Sequence, residues 1–209
     1  MKSPKSCAYC GRSDVPLQKE HVIPRTLYPL SKARSEVQRL TVPSCAVCNH
    51  GFSDAEAHFR NVILAAGEPN DAAREIWDSR VRRSFREIDG RRRRAELASQ
   101  VVEVETPEGL RHIVYPDRDP QVVSVLRKIV RGLAYHHDLP HPLTDAQIQV
   151  ETMKYEVPAA ILDAMEHFHR ESDIFDYSFL TNPMPGVHSF WLLRLFERRI
   201  FHATVRDVL

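Results

Sequence analysis

The chain has 209 residues, 43% of them hydrophobic, with 29 Lys plus Arg against 28 Asp plus Glu. That length and apolar share suit one mid-sized domain, or a small module joined to a larger one, and exclude wholesale disorder. No apolar run approaches the roughly 20 residues of a membrane-spanning helix, so no membrane partner is expected. Residues 1–5 are polar and lead into a cysteine motif rather than a signal-peptide core, so a cytoplasmic location is expected.

The balanced total hides a split. Residues 1–95 carry 18 Lys or Arg and 11 Asp or Glu, a net +7; residues 96–209 carry 11 and 17, a net −6. Such asymmetry predicts that the N-terminal part meets a polyanion.

In chain order, the first signal is a pair of knuckles, Cys7-Ala8-Tyr9-Cys10 and Cys45-Ala46-Val47-Cys48, which hold all four cysteines. Two CxxC turns 34 residues apart suit a tetrahedral zinc site. Gly11 supplies the backbone freedom that such a turn needs. Disulfides call for an oxidising compartment, and a redox dithiol normally occurs once, at a helix start. A closed four-sulfur site stabilises a small module and leaves no open position for chemistry.

Between the knuckles runs Lys19-Glu20-His21-Val22-Ile23-Pro24-Arg25, and Asn49-His50 follows the last cysteine. In this order and spacing, residues 7–66 resemble the HNH nuclease family, whose core is a ββα-metal finger. The resemblance implies a strand carrying His21 as general base, with Glu20 and Asn49 as ligands of a catalytic Mg²⁺ or Mn²⁺. His50 is a reserve ligand, and His58 is expected on a helix surface. The residue types suit the chemistry: a neutral imidazole can take a proton from water near pH 7, and oxygen ligands suit a hard cation. The family more often has Asp or His where Glu20 stands, and residues 38–42 lack the Asn that many members carry. Pro24 should end the strand. Ser53 and Glu56 read as a capping box opening a helix, with Phe59, Val62 and Ile63 inward.

A second helix is expected from an Asn70 cap through Ile88, with Trp77, Val81, Phe85 and Ile88 on one face and Asp89-Gly90 as its stop. Arg25, Arg82, Arg83, Arg86, Arg91, Arg92, Arg93 and Arg94 are then candidates for gripping a nucleic-acid backbone without sequence preference. DNA is the expected partner, with RNA left open.

Residues 99–104 and 110–115 alternate around Pro107-Glu108-Gly109, a hairpin signal. A helix from Pro120 to about His137 turns Val122, Leu126, Ile129, Val130 and Leu133 inward. Residues 147–153 read as a strand and 159–170 as a helix, with His167 and His169 solvated. Residues 175–180, 189–196 and 199–206 read as strands packed through Trp191, Leu193, Leu195 and Phe201. His136, His137 and His141 straddle a helix end and are not expected to hold metal.

The chain is therefore expected to be α+β: a zinc-stapled ββα-metal module over 1–68, a basic helix and linker over 69–95, and a larger α+β domain over 96–209. The last would serve dimerisation into a homodimer, substrate-channel completion or partner binding. The function expected is metal-dependent hydrolysis of DNA phosphodiesters, in a setting such as restriction or phage defence. Two alternatives stand beside it: a non-catalytic zinc-binding adaptor for nucleic acid or protein, and a nuclease effector silenced until the C-terminal domain binds a partner.

Overall fold

A computed structural model describes residues 6–32, 37–66, 68–107, 109–114 and 116–207. Residues 1–5, and with them the signal-peptide argument, lie outside the described residues, as do Glu108 of the expected hairpin turn and Tyr115 at its end.

β1 (Leu17–His21) and β2 (Thr41–Cys45) form an antiparallel pair, with Leu17 opposite Cys45 and His21 opposite Thr41. The first knuckle docks on this pair through Ala8 N–H, which donates to the Pro43 carbonyl at 2.9 Å. Gly11 closes the knuckle at φ +75°, as its turn requires.

α1 (Ala46–Gly51) starts within the second knuckle, and α2 (Ser53–Ala65) follows after Phe52. Asn49 thus sits inside a short helix instead of ahead of a longer one. Phe59, Val62 and Ile63 are fully buried, as their spacing predicts. The capping box does not form, because Ser53 is already the first helical residue and Glu56 is drawn into an ion pair elsewhere.

Asn70 caps α3 (Asp71–Ile76), accepting from Ala73 N–H at 2.9 Å. The continuous helix expected to Ile88 is interrupted. A π-helical segment, Trp77–Val81, leads into α4 (Arg82–Ser84), and α5 (Gly90–Ala98) begins at the glycine expected to be a stop. The π turn shifts the helical phase, so Val81 is buried while Ile88 is 99% exposed. Gly90 packs where a Cβ would fall 2.1 Å from the Phe85 carbonyl oxygen, so the corner demands glycine.

β3 (Val101–Thr106) and β4 (Gly109–Val114) pair as a separate hairpin. α6 (Pro120–His136) opens with Pro120 in its first turn and with Asp119 accepting from Gln121 and Val122 N–H groups, a well-formed cap. β5 (Ile148–Thr152) and the short α7 (Ala159–Ala164) precede β6 (Glu166–Glu171), β7 (Phe175–Met184), β8 (Val187–Leu195) and β9 (Arg199–Arg206). Strands β5 to β9 make one antiparallel sheet in the order β5-β9-β8-β7-β6.

The expected helix 159–170 ends early because residues 166–171 alternate. Phe168 stacks on Tyr177 and Phe179, with ring centroids 4.9 and 5.8 Å apart, while His167 hydrogen bonds to Ser178 Oγ at 2.8 Å. Pairing with β7 outweighs a weak local helix preference. His137 joins the same aromatic group, its Nε2 2.9 Å from Tyr177 Oη, and so serves the core.

The α+β class is as expected. The buried side chains form one continuous cluster running from Cys7 to Val205, so the divisions at 68 and 95 are not matched by separate cores. α6 links the parts, packing against α2 on one side and β5 on the other. Its Gly132 lies against Val22, where a Cβ would sit 2.9 Å from a Val22 methyl carbon. Gly132→Ala should therefore destabilise the fold by about 1–3 kcal/mol through overpacking, despite the better helix propensity of alanine. Urea unfolding checks this, and Val22→Ala in the same chain should recover most of the loss.

Candidate metal centre and catalytic site

The four cysteine Sγ atoms all lie within 4.8 Å of one another, with Cys10 and Cys45 3.8 Å apart. Zinc–sulfur bonds of about 2.3 Å in a tetrahedron require sulfur separations of about 3.8 Å, so the set is positioned to bind a metal ion and fits structural zinc. Burial pushes the Cys7 thiol up, but backbone hydrogen bonds from Cys45, Cys10 and Tyr9 more than offset it and bring it to about 6. Burial pushes Cys48 upward, reinforced by its cysteine neighbours, as expected where four thiols must share protons until a cation replaces them.

β1 and α1, clamped by these knuckles, carry the other candidate residues. Gln18 and Glu20 share one face of β1, and His21 falls on the alternate position at the strand end. Asn49 reaches that first face, where its Nδ2 donates to Gln18 Oε1 at 2.8 Å. His50 is exposed on α1. Asn49 and Glu20 are thus brought to one side of the hairpin, but each has another partner.

The partner of Glu20 is Lys128 of α6. Its ammonium is completely buried and pairs with both Glu20 and Glu56, and it donates to the His21 carbonyl at 3.2 Å. The Tyr9 and Phe52 rings lie 5.9 and 5.5 Å from Nζ, within cation–π range. Burial raises the Glu56 carboxyl even beside this cation. The Lys128 ammonium thus engages one oxygen of the carboxylate that the resemblance assigns to a divalent ion, so Glu20 and Asn49 would hold Mg²⁺ or Mn²⁺ only once Lys128 is displaced. Among the described residues the cysteines are the only cluster of three or more His, Cys, Asp or Glu placed to hold a metal.

His21 is half-buried and its ring makes no hydrogen bond among the described residues. Burial chiefly, and then the nearby Arg25 and Arg39 charges, depress its pKa below 6.5, leaving a neutral imidazole at pH 7. His58 is not a surface residue. Its Nε2 lies 2.5 Å from the Asp119 carboxylate, tying α2 to the cap of α6.

The arginines divide. Arg82 pairs with Asp78, Arg92 with Glu96 and Arg93 with Glu87, while Arg94 donates to the Phe85 carbonyl. Arg25, Arg83, Arg86 and Arg91 are exposed and form no ion pair among the described residues. The roles of Lys128 and Arg39, and the pairing of Glu56 with Lys128, were not legible in the sequence. One signal was present: Lys128 falls three residues after Val125 and four before Gly132, on the inward stripe of α6.

Comparison with protein-family models, curated proteins and solved structures finds no match to this chain.

Two outcomes follow from the metal centre and the buried lysine. The purified protein should carry about one zinc per chain, and Cys45→Ser should lose it together with cooperative thermal unfolding, read by metal analysis and calorimetry. Lys128→Met should cost about 3–5 kcal/mol in urea unfolding, because two carboxylates are left without their cation. Adding Glu20→Gln and Glu56→Gln should recover most of that loss; a single-variant cost below about 1 kcal/mol would contradict the role given to the ion pair.

Proposed function

We propose that this chain is a hydrolase of nucleic-acid phosphodiesters of the HNH kind, with DNA as substrate and His21 as general base. The observation that carries this reading is the environment of His21. It lies at the end of a strand clamped by the cysteine centre, half-buried, and held neutral at pH 7 beside Arg25 and Arg39. A neutral imidazole can accept the proton of an attacking water, and adjacent guanidinium groups can hold the phosphate and offset charge that develops on it. The water would attack phosphorus in line with the departing sugar oxygen, and the resemblance implies 5′-phosphate and 3′-hydroxyl ends. Mg²⁺ or Mn²⁺ at Glu20 and Asn49 would add stabilisation of the leaving oxygen, and loading it requires Lys128 to release Glu20.

That requirement favours a second reading, in which the hydrolase is silenced. Lys128 belongs to the C-terminal part, and its ammonium occupies the carboxylate that the cation would use. A partner that shifted α6 would uncover Glu20.

Nicking of supercoiled plasmid, with and without added Mg²⁺ or Mn²⁺, tests both readings. Divalent-dependent scission by wild type, lost in a folded and zinc-replete His21→Ala variant, supports the active hydrolase. If wild type is inert, the silenced reading expects scission from Lys128→Met/Glu56→Gln, which frees Glu20 and removes one of the two carboxylates left unpaired. Inertness of every variant would leave the zinc-binding adaptor.

The acid limb of the rate profile should lie below about pH 6.5, since burial and nearby positive charge disfavour the protonated imidazole. Arg25→Gln removes one such charge and should move the limb to higher pH, which kcat/KM measured across pH 5 to 8, roughly the histidine range, will read.

A further inference from the structure

A cavity of about 340 Å³ lies beside the His21 end of the hairpin, lined by Arg25, Thr26, Tyr28, Pro29, Arg39 and Arg80. Three separate stretches supply its cations. Arg25 comes from the turn after β1, Arg39 from the approach to β2, and Arg80 from the π-helical segment. Arg39 stacks on the Tyr28 ring, its guanidinium carbon 4.0 Å from the ring centroid, and one Nη2 donates to the Lys32 carbonyl at 2.8 Å. Those contacts hold the guanidinium in place and leave part of its fork for another acceptor. Arg80 buries its Nε without a hydrogen-bond partner. Glu75 senses the Arg80 charge, but its two oxygens are taken by Ser31, from N–H at 2.9 Å and from Oγ at 2.5 Å. Among the described residues none of the three arginines has an ion-pair partner.

Three converging cations outnumber the single negative charge of nearby Glu75 and repel one another, so the cavity favours an anion with several acceptor oxygens. A carboxylate offers two coplanar oxygens and is satisfied by one fork. A phosphate presents oxygens in several directions and can meet three. We infer that the Arg25–Arg39–Arg80 cavity is a binding site for a phosphate group of a nucleic-acid backbone. This rests on the nucleic-acid part of the proposed function but not on hydrolysis. It adds Arg39 to the binding surface, joins it to Arg25 and Arg80, and places a phosphate near the candidate base.

The test is equilibrium binding of a fluorescein-labelled DNA duplex, read by anisotropy at fixed ionic strength with no divalent ion, so that scission plays no part. Arg80→Gln and Arg39→Gln should each weaken binding about tenfold, and Arg39→Lys, which keeps charge but loses the fork, by less. Arg206→Gln, at the exposed end of β9, should change it less than about twofold. Inorganic phosphate should compete with the duplex for wild type and not for Arg80→Gln. Melting temperature and zinc content exclude misfolding, and Arg80→Gln carries the test if Arg39→Gln is unstable. DNA affinity unchanged in the pocket variants overturns the proposal. So does loss of phosphate binding with DNA binding intact, which would assign the cavity to a free phosphate compound. Weakened DNA binding in these variants, with Arg206→Gln binding normally, upholds it even if no scission is ever seen.

Discussion

A single ammonium group organises this protein. Lys128 is fully buried on α6, and two carboxylates from the N-terminal part, Glu20 and Glu56, compensate it. Removing a cation from water costs several kcal/mol, and only a close set of opposite charges and dipoles offsets that cost. The β1 strand, α2 and α6 must therefore hold one mutual arrangement. Other contacts agree with it: Gly132 admits Val22, His58 meets the Asp119 cap, and Pro142 packs on Gly11. The cysteine knuckles and a five-stranded sheet consequently share a single core.

The same ion pair limits the chemistry. A carboxylate oxygen in contact with an ammonium is not available to a divalent ion, and two cations in one small site would repel strongly. The hydrolysis proposed to depend on Glu20 would thereby be coupled to the position of a helix whose other side packs on the C-terminal sheet. Such coupling requires only that the site have two arrangements and that a ligand favour one of them. His21 is differently placed, on the alternate position of β1.

The charge asymmetry between the halves also has a structural meaning. Much of the basic segment is neutralised by carboxylates within six residues in the chain, Arg82 by Asp78, Arg92 by Glu96 and Arg93 by Glu87. Exposed pairs of this kind contribute little stability. The cations without a partner gather instead around the cavity next to His21, with Arg83, Arg86 and Arg91 exposed on the surface. Surface charge alone would not distinguish a solvated helix face from a binding site, whereas three arginines converging on one cavity are what the proposed phosphate site rests on.

Local pattern decided much of the fold. The knuckle spacing placed four thiols together, alternation from Phe175 to Arg206 produced the sheet, and the Asp119–Pro120 cap with its apolar stripe produced α6. These features depend on neighbours a few residues away, so they are legible in sequence. The π turn at Trp77, the switch of residues 166–171 from helix to strand, and the diversion of Glu56 from a cap to an ion pair were not. Each is settled by partners distant in the chain: Lys128 lies 108 residues from Glu20 and 72 from Glu56. The resemblance implies that Glu20, before His21, is a metal ligand. Only the tertiary structure decides which cation it meets, because a buried charge takes the nearest opposite charge that the fold delivers.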